Sequence, residues 1–181
     1  DKQNAKNQVK VLGKIMSTIL GNKRLPMLIV SQNPRIHDRS TFNATAAAIY
    51  GFSIFGSSYS YLLDKENNID YLSLNNFLEK YSKDKFFIFG FTSSVYENLI
   101  KKLSSNSVKF NFKNGILLHG GGWKKLEKLK IGNELFKQQL FKKTKLKNIY
   151  NYYGLVEQTG SIFIECNKCG NFITSVFSDI F

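Results

Sequence analysis

Three stretches of the chain carry residue types suited to chemistry. Gly120-Gly121-Gly122-Trp123-Lys124 sets three consecutive glycines beside an indole and an amine. Such a run costs backbone entropy, so it serves unusual dihedrals or the close approach of a ligand. A flat base could lie against Gly120, Gly121 and Gly122 with Trp123 alongside; a tight strand-to-helix turn accounts for the glycines equally well. Tyr152-Tyr153-Gly154-Leu155-Val156-Glu157-Gln158-Thr159-Gly160 brings an aromatic ring, flexible backbone and a carboxylate within a few residues. Tyr153 could pack on a nucleobase, and Glu157 could hold Mg²⁺ against a phosphate. Thr159 and Ser161 add hydroxyls. The plainer reading of this stretch is an exposed loop with a stray acid. The third stretch is Gly90-Phe91-Thr92-Ser93-Ser94.

Each stretch follows a segment that reads as a strand. Phe86 to Gly90, Gly115 to His119 and Lys147 to Tyr152 each read as a strand. Met27 to Val30, opened by Pro26, is a short apolar run typical of a buried parallel strand, and Ser57 to Leu63 also looks like a strand. Helical spacing predicts helices over Val9–Leu20, Thr41–Tyr50, Tyr71–Tyr81, Ser93–Leu103 and Asn133–Lys143. Strand and helix alternate, which argues for an α/β fold with a largely parallel sheet flanked by helices. Ser161 to Glu165 and Asn171 to Val176 could form a C-terminal hairpin turning at Asn167-Lys168-Cys169-Gly170. In such sheets ligands bind outside the carboxyl ends of the strands, so the three stretches gather on one rim.

The chain has 181 residues, enough for a single domain over 1–181 or for one lobe of a larger enzyme. No apolar run approaches the ~20 residues of a membrane span, and the polar start carries no secretion signal, so the expected compartment is the cytoplasm. The formal charge is +13, from 26 Lys+Arg against 13 Asp+Glu. Only Arg24, Arg35 and Arg39 are arginine, and the lysines are spread along the chain. Arginine is the better reader of phosphates and bases, so a solvated lysine-rich surface is preferred to a nucleic-acid-binding one.

Tyr153-Gly154-Leu155-Val156-Glu157 resembles the Tyr-Gly-x-Thr-Glu motif of adenylate-forming enzymes, and the glycine triple matches their adenine loop in position. Pro26 to Val30, Phe89 to Thr92, Leu117 to Leu126 and Tyr152 to Phe163 together resemble, in order and spacing, the LuxE-type acyl-protein synthetases that activate long-chain fatty acids in bacterial bioluminescence. The resemblance covers most of the chain. It implies part of the large N-terminal, AMP-binding lobe of an acid–thiol ligase using ATP and Mg²⁺. The implied substrate is a fatty or other carboxylic acid, and the implied partner an acyl-transferase or reductase protein. Gly120, Gly121 and Gly122 would border the adenine, Tyr153 and Gly154 would lie near the base, and Glu157 would approach Mg²⁺. Phe91, Thr92, His119 and Trp123 would line the substrate pocket. Val156 stands where the superfamily has threonine, leaving Thr159 as the substitute hydroxyl. The family's phosphate loop is expected upstream, and its lid lysine and acyl-accepting cysteine downstream. The sequence therefore reads as a central fragment that would not complete a turnover by itself. The alternatives are a non-catalytic nucleotide- or protein-binding module of the same fold, or a basic nucleic-acid-binding protein whose binding would depend on salt.

Cys166 and Cys169 have the spacing of a zinc half-site. Only His37 and His119 remain as soft partners, so two thiols in a hairpin turn is the preferred reading. His119 could contact an adenylate or pack behind the glycine loop. Lys124 and Lys125 read as solvated, and Phe86, Phe87 and Phe89 as core.

Overall fold

The computed structural model describes residues 2–34, 44–103, 110–122, 131–154 and 162–173. Helix α1 (Lys2–Leu20) stops at Gly21, whose φ of +81° suits a left-handed C-terminal stop. Strand β1 (Leu25–Ile29), helix α2 (Ala44–Ser53) and strand β2 (Gly56–Tyr61) follow. Helix α3 (Tyr71–Tyr81) has the bounds its periodicity predicts. Asp70 caps it, its carboxylate accepting from the Ser73 backbone N–H at 2.9 Å. Strand β3 (Phe86–Phe91) leads into α4 (Thr92–Val95), which continues as a π-helical stretch over Tyr96–Lys102. Strand β4 (Gly115–Gly120), helix α5 (Asn133–Thr144), strand β5 (Asn148–Gly154) and the short strands β6 (Ile162–Glu165) and β7 (Phe172–Ile173) complete the order.

The strands form one seven-stranded sheet in the order β2-β1-β3-β4-β5-β6-β7. From β2 to β5 all pairings are parallel; β6 and β7 add antiparallel. Both faces of the central strands are buried, which is why they read as unbroken apolar runs rather than alternating ones. Leu28, Ile88, Leu117 and Ile149 pack with α3, the α4 region and α5 through Leu74, Phe77, Leu99, Phe136 and Leu140. The alternate residues Met27, Ile29, Phe87, Phe89, Ile116 and Leu118 pack with α1 and α2 through Ile15, Met16, Ile49 and Phe52. Phe86, Phe87 and Phe89 are fully buried core. Among the described residues no helix is long and apolar enough to cross a membrane.

Candidate functional site at the carboxyl ends of the parallel strands

Strand register brings two of the three chemistry-bearing stretches, and the start of the third, side by side. Phe91 pairs with Gly120, and Gly120 with Tyr152. One step further along the chain, Thr92, Gly121 and Tyr153 stand at the carboxyl rim of the sheet.

Each position has its own physical reason. A Cβ on Gly120 would lie 2.5 Å from the Tyr152 ring and 2.7 Å from the Tyr152 carbonyl oxygen. Glycine is therefore required there by packing, whether or not a ligand approaches. Gly121 has φ +75°, and a Cβ on it would sit 2.9 Å from the Phe91 ring; here the glycine serves the turn. Gly121 and Gly122 are both exposed. The half-buried Tyr152 packs against Phe52 and Phe89, with ring centroids 5.1 Å and 6.2 Å away. Burial pushes its hydroxyl up to about 12, so it stays neutral. Tyr153, on the opposite face of the same strand, is 56% exposed, and Gly154 beside it is exposed too. An exposed aromatic ring thus stands at the rim.

Thr92 and His119 turn inward. His119 is 1% exposed and lies against the Phe136 ring, centroids 4.8 Å apart. The Thr92 hydroxyl is 2.9 Å from His119 Nδ1 and 3.2 Å from the Gly120 carbonyl oxygen. A single hydroxyl proton serves both contacts if Thr92 donates to the Gly120 carbonyl and accepts from Nδ1–H. Burial, then the positive charge of Lys137, pushes the imidazole down to about 3, so it is neutral near pH 7. Of the two roles open to His119, packing behind the glycine loop is the one this geometry supports. Thr92 and His119 brace the Gly120 carbonyl from within instead of lining an open pocket. Phe91 is half-buried, its ring edge-on to Phe89 at 6.2 Å.

The sequence reading missed a polar group beneath the rim. His119 pairs with Asn151, and continuation of the β5–β6 register sets Asn151 beside Glu165. Glu165 is 2% exposed; its Oε1 accepts from Asn133 Nδ2 at 2.5 Å and from Lys137 Nζ at 2.7 Å. Glu165 Oε2 and His119 Nε2 are buried with no hydrogen-bond partner among the described residues. Period-two alternation was the available signal. Ile162 and Ile164 face the α1/α2 core, so Glu165 must face the other side, which α5 covers.

Trp123, Lys124, Lys125, Val156, Glu157, Thr159 and His37 lie outside the described residues. Cys166 and Cys169 are free thiols in the β6–β7 turn, the first half-buried and the second exposed. The turn is closed by Gly170 N–H to the Cys166 carbonyl and Cys166 N–H to the Asn171 carbonyl, both 2.8 Å. Backbone N–H groups, first that of Cys169 and then that of Lys168, pull the Cys166 thiol below its usual range. Because β6 runs away from the rim, this turn lies toward the other end of the sheet. Among the described residues no three His, Cys, Asp or Glu side chains gather as a metal site.

A mostly parallel sheet flanked by helices, with small, aromatic and hydroxyl residues at its carboxyl rim, defines an α/β protein. The model of the family "Acyl-protein synthetase, LuxE" matches residues 1–180, and the chain belongs to that family. No curated protein matches it at a significant level. Among solved structures, it is similar to coronafacic acid ligase from Pectobacterium brasiliense, at 16% identity and a TM-score of 0.48 over 86% of this chain and 27% of that one. The R395G mutant form of that ligase matches at 15% identity and a TM-score of 0.49. ATP-bound MatB from Rhodopseudomonas palustris is similar at 8% identity and a TM-score of 0.49, over 87% of this chain and 26% of that one. The chain thus spans about a quarter of the length of these proteins.

Proposed function

We propose that the chain is part of an ATP-dependent, AMP-forming acyl-activating enzyme, with residues 1–181 belonging to its nucleotide-binding lobe. Family membership supports the reaction class. The observation that carries the site is the register of Phe91, Gly120 and Tyr152, which sets Gly121, Tyr153 and Gly154 together on one open rim. In the reaction, an oxygen of a carboxylic acid attacks the α-phosphorus of ATP. The bond from that phosphorus to the bridging oxygen breaks, and pyrophosphate leaves with the electron pair. A thiolate or other nucleophile then attacks the acyl carbon of the acyl-adenylate, and AMP departs. A fatty acid is the substrate class we favour, and a protein thiol the acceptor.

Within this chain, Gly121 and Gly122 border the base and the exposed Tyr153 packs on it, while Gly154 keeps the backbone open. Gly120 contributes by letting Tyr152 close in. Its carbonyl is held by Thr92, itself fixed by neutral His119. Phe91 and Trp123 flank the acyl side. Glu157, with Thr159 as the nearby hydroxyl, is the residue assigned to approach Mg²⁺; a carboxylate oxygen suits so hard a cation. Bound Mg²⁺ would offset charge developing on the phosphates. Catalysis otherwise rests on alignment of the two reactants.

The test is calorimetry with ATP·Mg²⁺ and with a non-hydrolysable acyl-adenylate mimic, on the chain and on Glu157→Ala and Gly121→Val. The mimic should bind, and both substitutions should weaken it. The valine clashes with Phe91 and cannot easily adopt φ +75°. Binding indifferent to both would put the nucleotide elsewhere. No binding at about 1 mM nucleotide, a free energy near −4 kcal/mol, would remove the reading for this chain.

A further inference from the structure

Strands β2, β1, β3, β4 and β5 are parallel, so the connections that lead into them gather at one end of the sheet, opposite the rim. Lysines that look scattered in the sequence meet there. Lys83 and Lys85 precede β3, Lys113 precedes β4, Lys145 and Lys147 precede β5, and Lys143 lies on the last turn of α5 beside them. All six are exposed, and among the described residues none of them forms an ion pair. Asp84 is the only acid in the described parts of these connections, whereas the connection after β2, at the rim end, carries Asp64, Glu66 and Asp70 against Lys65. Hydrogen bonds knit the basic end into one surface. Phe112 N–H donates to the Thr144 carbonyl at 2.7 Å, and the Asn114 side-chain amide donates to the Ser82 and Lys83 carbonyls at 2.9 and 3.1 Å. Strands β3, β4 and β5 are neighbours, so the lysine-bearing backbone spans about 10 Å across them. That is close to the Debye length of about 10 Å at ~0.1 M salt, so the charges act together. Two exposed apolar side chains flank them. Phe141, 43% exposed, has Lys145 Nζ 5.6 Å from its ring centre. Ile54, also 43% exposed, leads into β2 at the far edge of the same end. This is the reverse of a protein–protein interface, whose centre is apolar and poor in charge and whose rim is polar. Nor does it suit a nucleic acid, for which arginine's fork is the better tool. Lysines are compact point charges on flexible stems. They suit a surface of many negative headgroups with no fixed geometry, into which flanking apolar side chains can dip.

We propose that this amino end of the sheet is a docking face for an anionic lipid bilayer, with the six lysines against the headgroups and Phe141 and Ile54 reaching into the interface. A bilayer bound there leaves the rim, at the opposite end, open. The docking face does not rest on the acyl-activation reading, since none of its residues is assigned to the nucleotide or the acid.

The test is flotation of the chain with phosphatidylcholine vesicles, with and without phosphatidylserine, at low and at physiological salt. The chain should float with the phosphatidylserine vesicles only, and less so as salt rises. A lysine close to an anionic surface is worth about fivefold in affinity, so Lys145→Gln with Lys147→Gln should weaken binding by more than about tenfold. Both side chains are exposed, so the urea midpoint should hold. Lys10→Gln with Lys65→Gln removes the same charge from exposed positions away from this end, and should weaken binding by less than about threefold. Phe141→Gln should weaken it by roughly threefold; no change would overturn the part given to the apolar side chains. No flotation with phosphatidylserine vesicles, equal flotation with phosphatidylcholine alone, or equal losses in the two lysine pairs would each overturn the docking face. So would capture of the chain from those vesicles by RNA of random sequence, which would assign the basic end to a nucleic acid.

Discussion

The two faces of the sheet differ most just beneath the rim. On the α1/α2 side, Phe52, Phe89 and Tyr152 stack into a tight aromatic wall with centroids 4.6 to 6.2 Å apart. On the α5 side at the same level stand His119 bonded to Thr92, and Glu165 bonded to Asn133 and Lys137. One face is held by packing, which is non-directional and tolerant of small shifts. The other is held by hydrogen bonds with fixed partners, which specify angles as well as distances. Polar groups in a core are costly for stability alone. Their concentration under the segments assigned to the ligand implies that this face sets geometry while the aromatic face supplies cohesion.

The comparison breaks most sharply at Phe89. It is fully buried among Phe52, Phe87, Phe91 and Tyr152. Phe89→Ala should cost about 3–5 kcal/mol, from lost burial plus the cavity left, read as a fall in the urea midpoint at unchanged slope. A loss under about 1 kcal/mol would mean the aromatic wall collapses freely and is not the source of cohesion.

Gly120→Ala should follow, near the upper end of the roughly 1–3 kcal/mol typical of overpacking. Two of the atoms its Cβ meets belong to the Tyr152 ring, which could move toward solvent, but the third is the Tyr152 carbonyl oxygen. Adding Tyr152→Phe should not rescue it, since the backbone contact remains; rescue by Tyr152→Ala would show that the ring alone demands glycine.

On the polar face the corresponding test is pH. His119 is buried, and its folded pKa is depressed to about 3 against an ordinary 6.5. Below pH 6.5 the unfolded chain takes up a proton that the folded chain refuses. Stability is therefore fully present above that pH and falls as pH drops toward 3, by about 1.4 kcal/mol per unit once well below 6.5. Between pH 6.5 and 5 that amounts to roughly 1.6 kcal/mol, a window above most carboxylate titrations. His119→Gln should flatten the slope there; an unchanged slope would assign it to another group.

The elements that could be read from the sequence are those whose signal is local. The helical spacing over Tyr71–Tyr81 marks α3, and the apolar run Phe86 to Phe89 marks a strand buried on both faces. Three features were not local. The π-helical stretch after Val95 accompanies an unusual bond, the Asn98 side-chain amide donating to the Ser94 carbonyl at 2.9 Å; nothing in Tyr96–Lys102 signals it. Glu165 joins a lysine 28 residues away, and a glutamate before a turn looks like a solvated one until α5 is known to cover it. Gly120, Gly121 and Gly122 looked alike as sequence, yet the first answers to Tyr152 and the second to a positive φ. His119 stayed balanced between two roles because both put it beside glycine; only its burial separates them.

Tyr153 gives the smallest stability effect and the cleanest reading of the rim. Its ring is 56% exposed, on the opposite face of β5 from the buried Tyr152 stack. Tyr153→Ala should change unfolding free energy by about 0.5 kcal/mol or less, as for other exposed positions. If the ring packs on a base, the same substitution should weaken nucleotide binding by about 1–3 kcal/mol, the range for base–aromatic stacking, and Tyr153→Phe should restore most of it because the face of the ring, not its hydroxyl, makes the contact. Calorimetry on the three proteins decides it. Loss in both variants would assign the contact to the hydroxyl. No loss in either would leave Tyr153 a solvent-facing strand residue and move the base toward Gly121 and Gly122. The pattern of an unchanged urea midpoint with a large binding loss would set the rim apart from both faces below it, as a surface whose residues serve the ligand and not the fold.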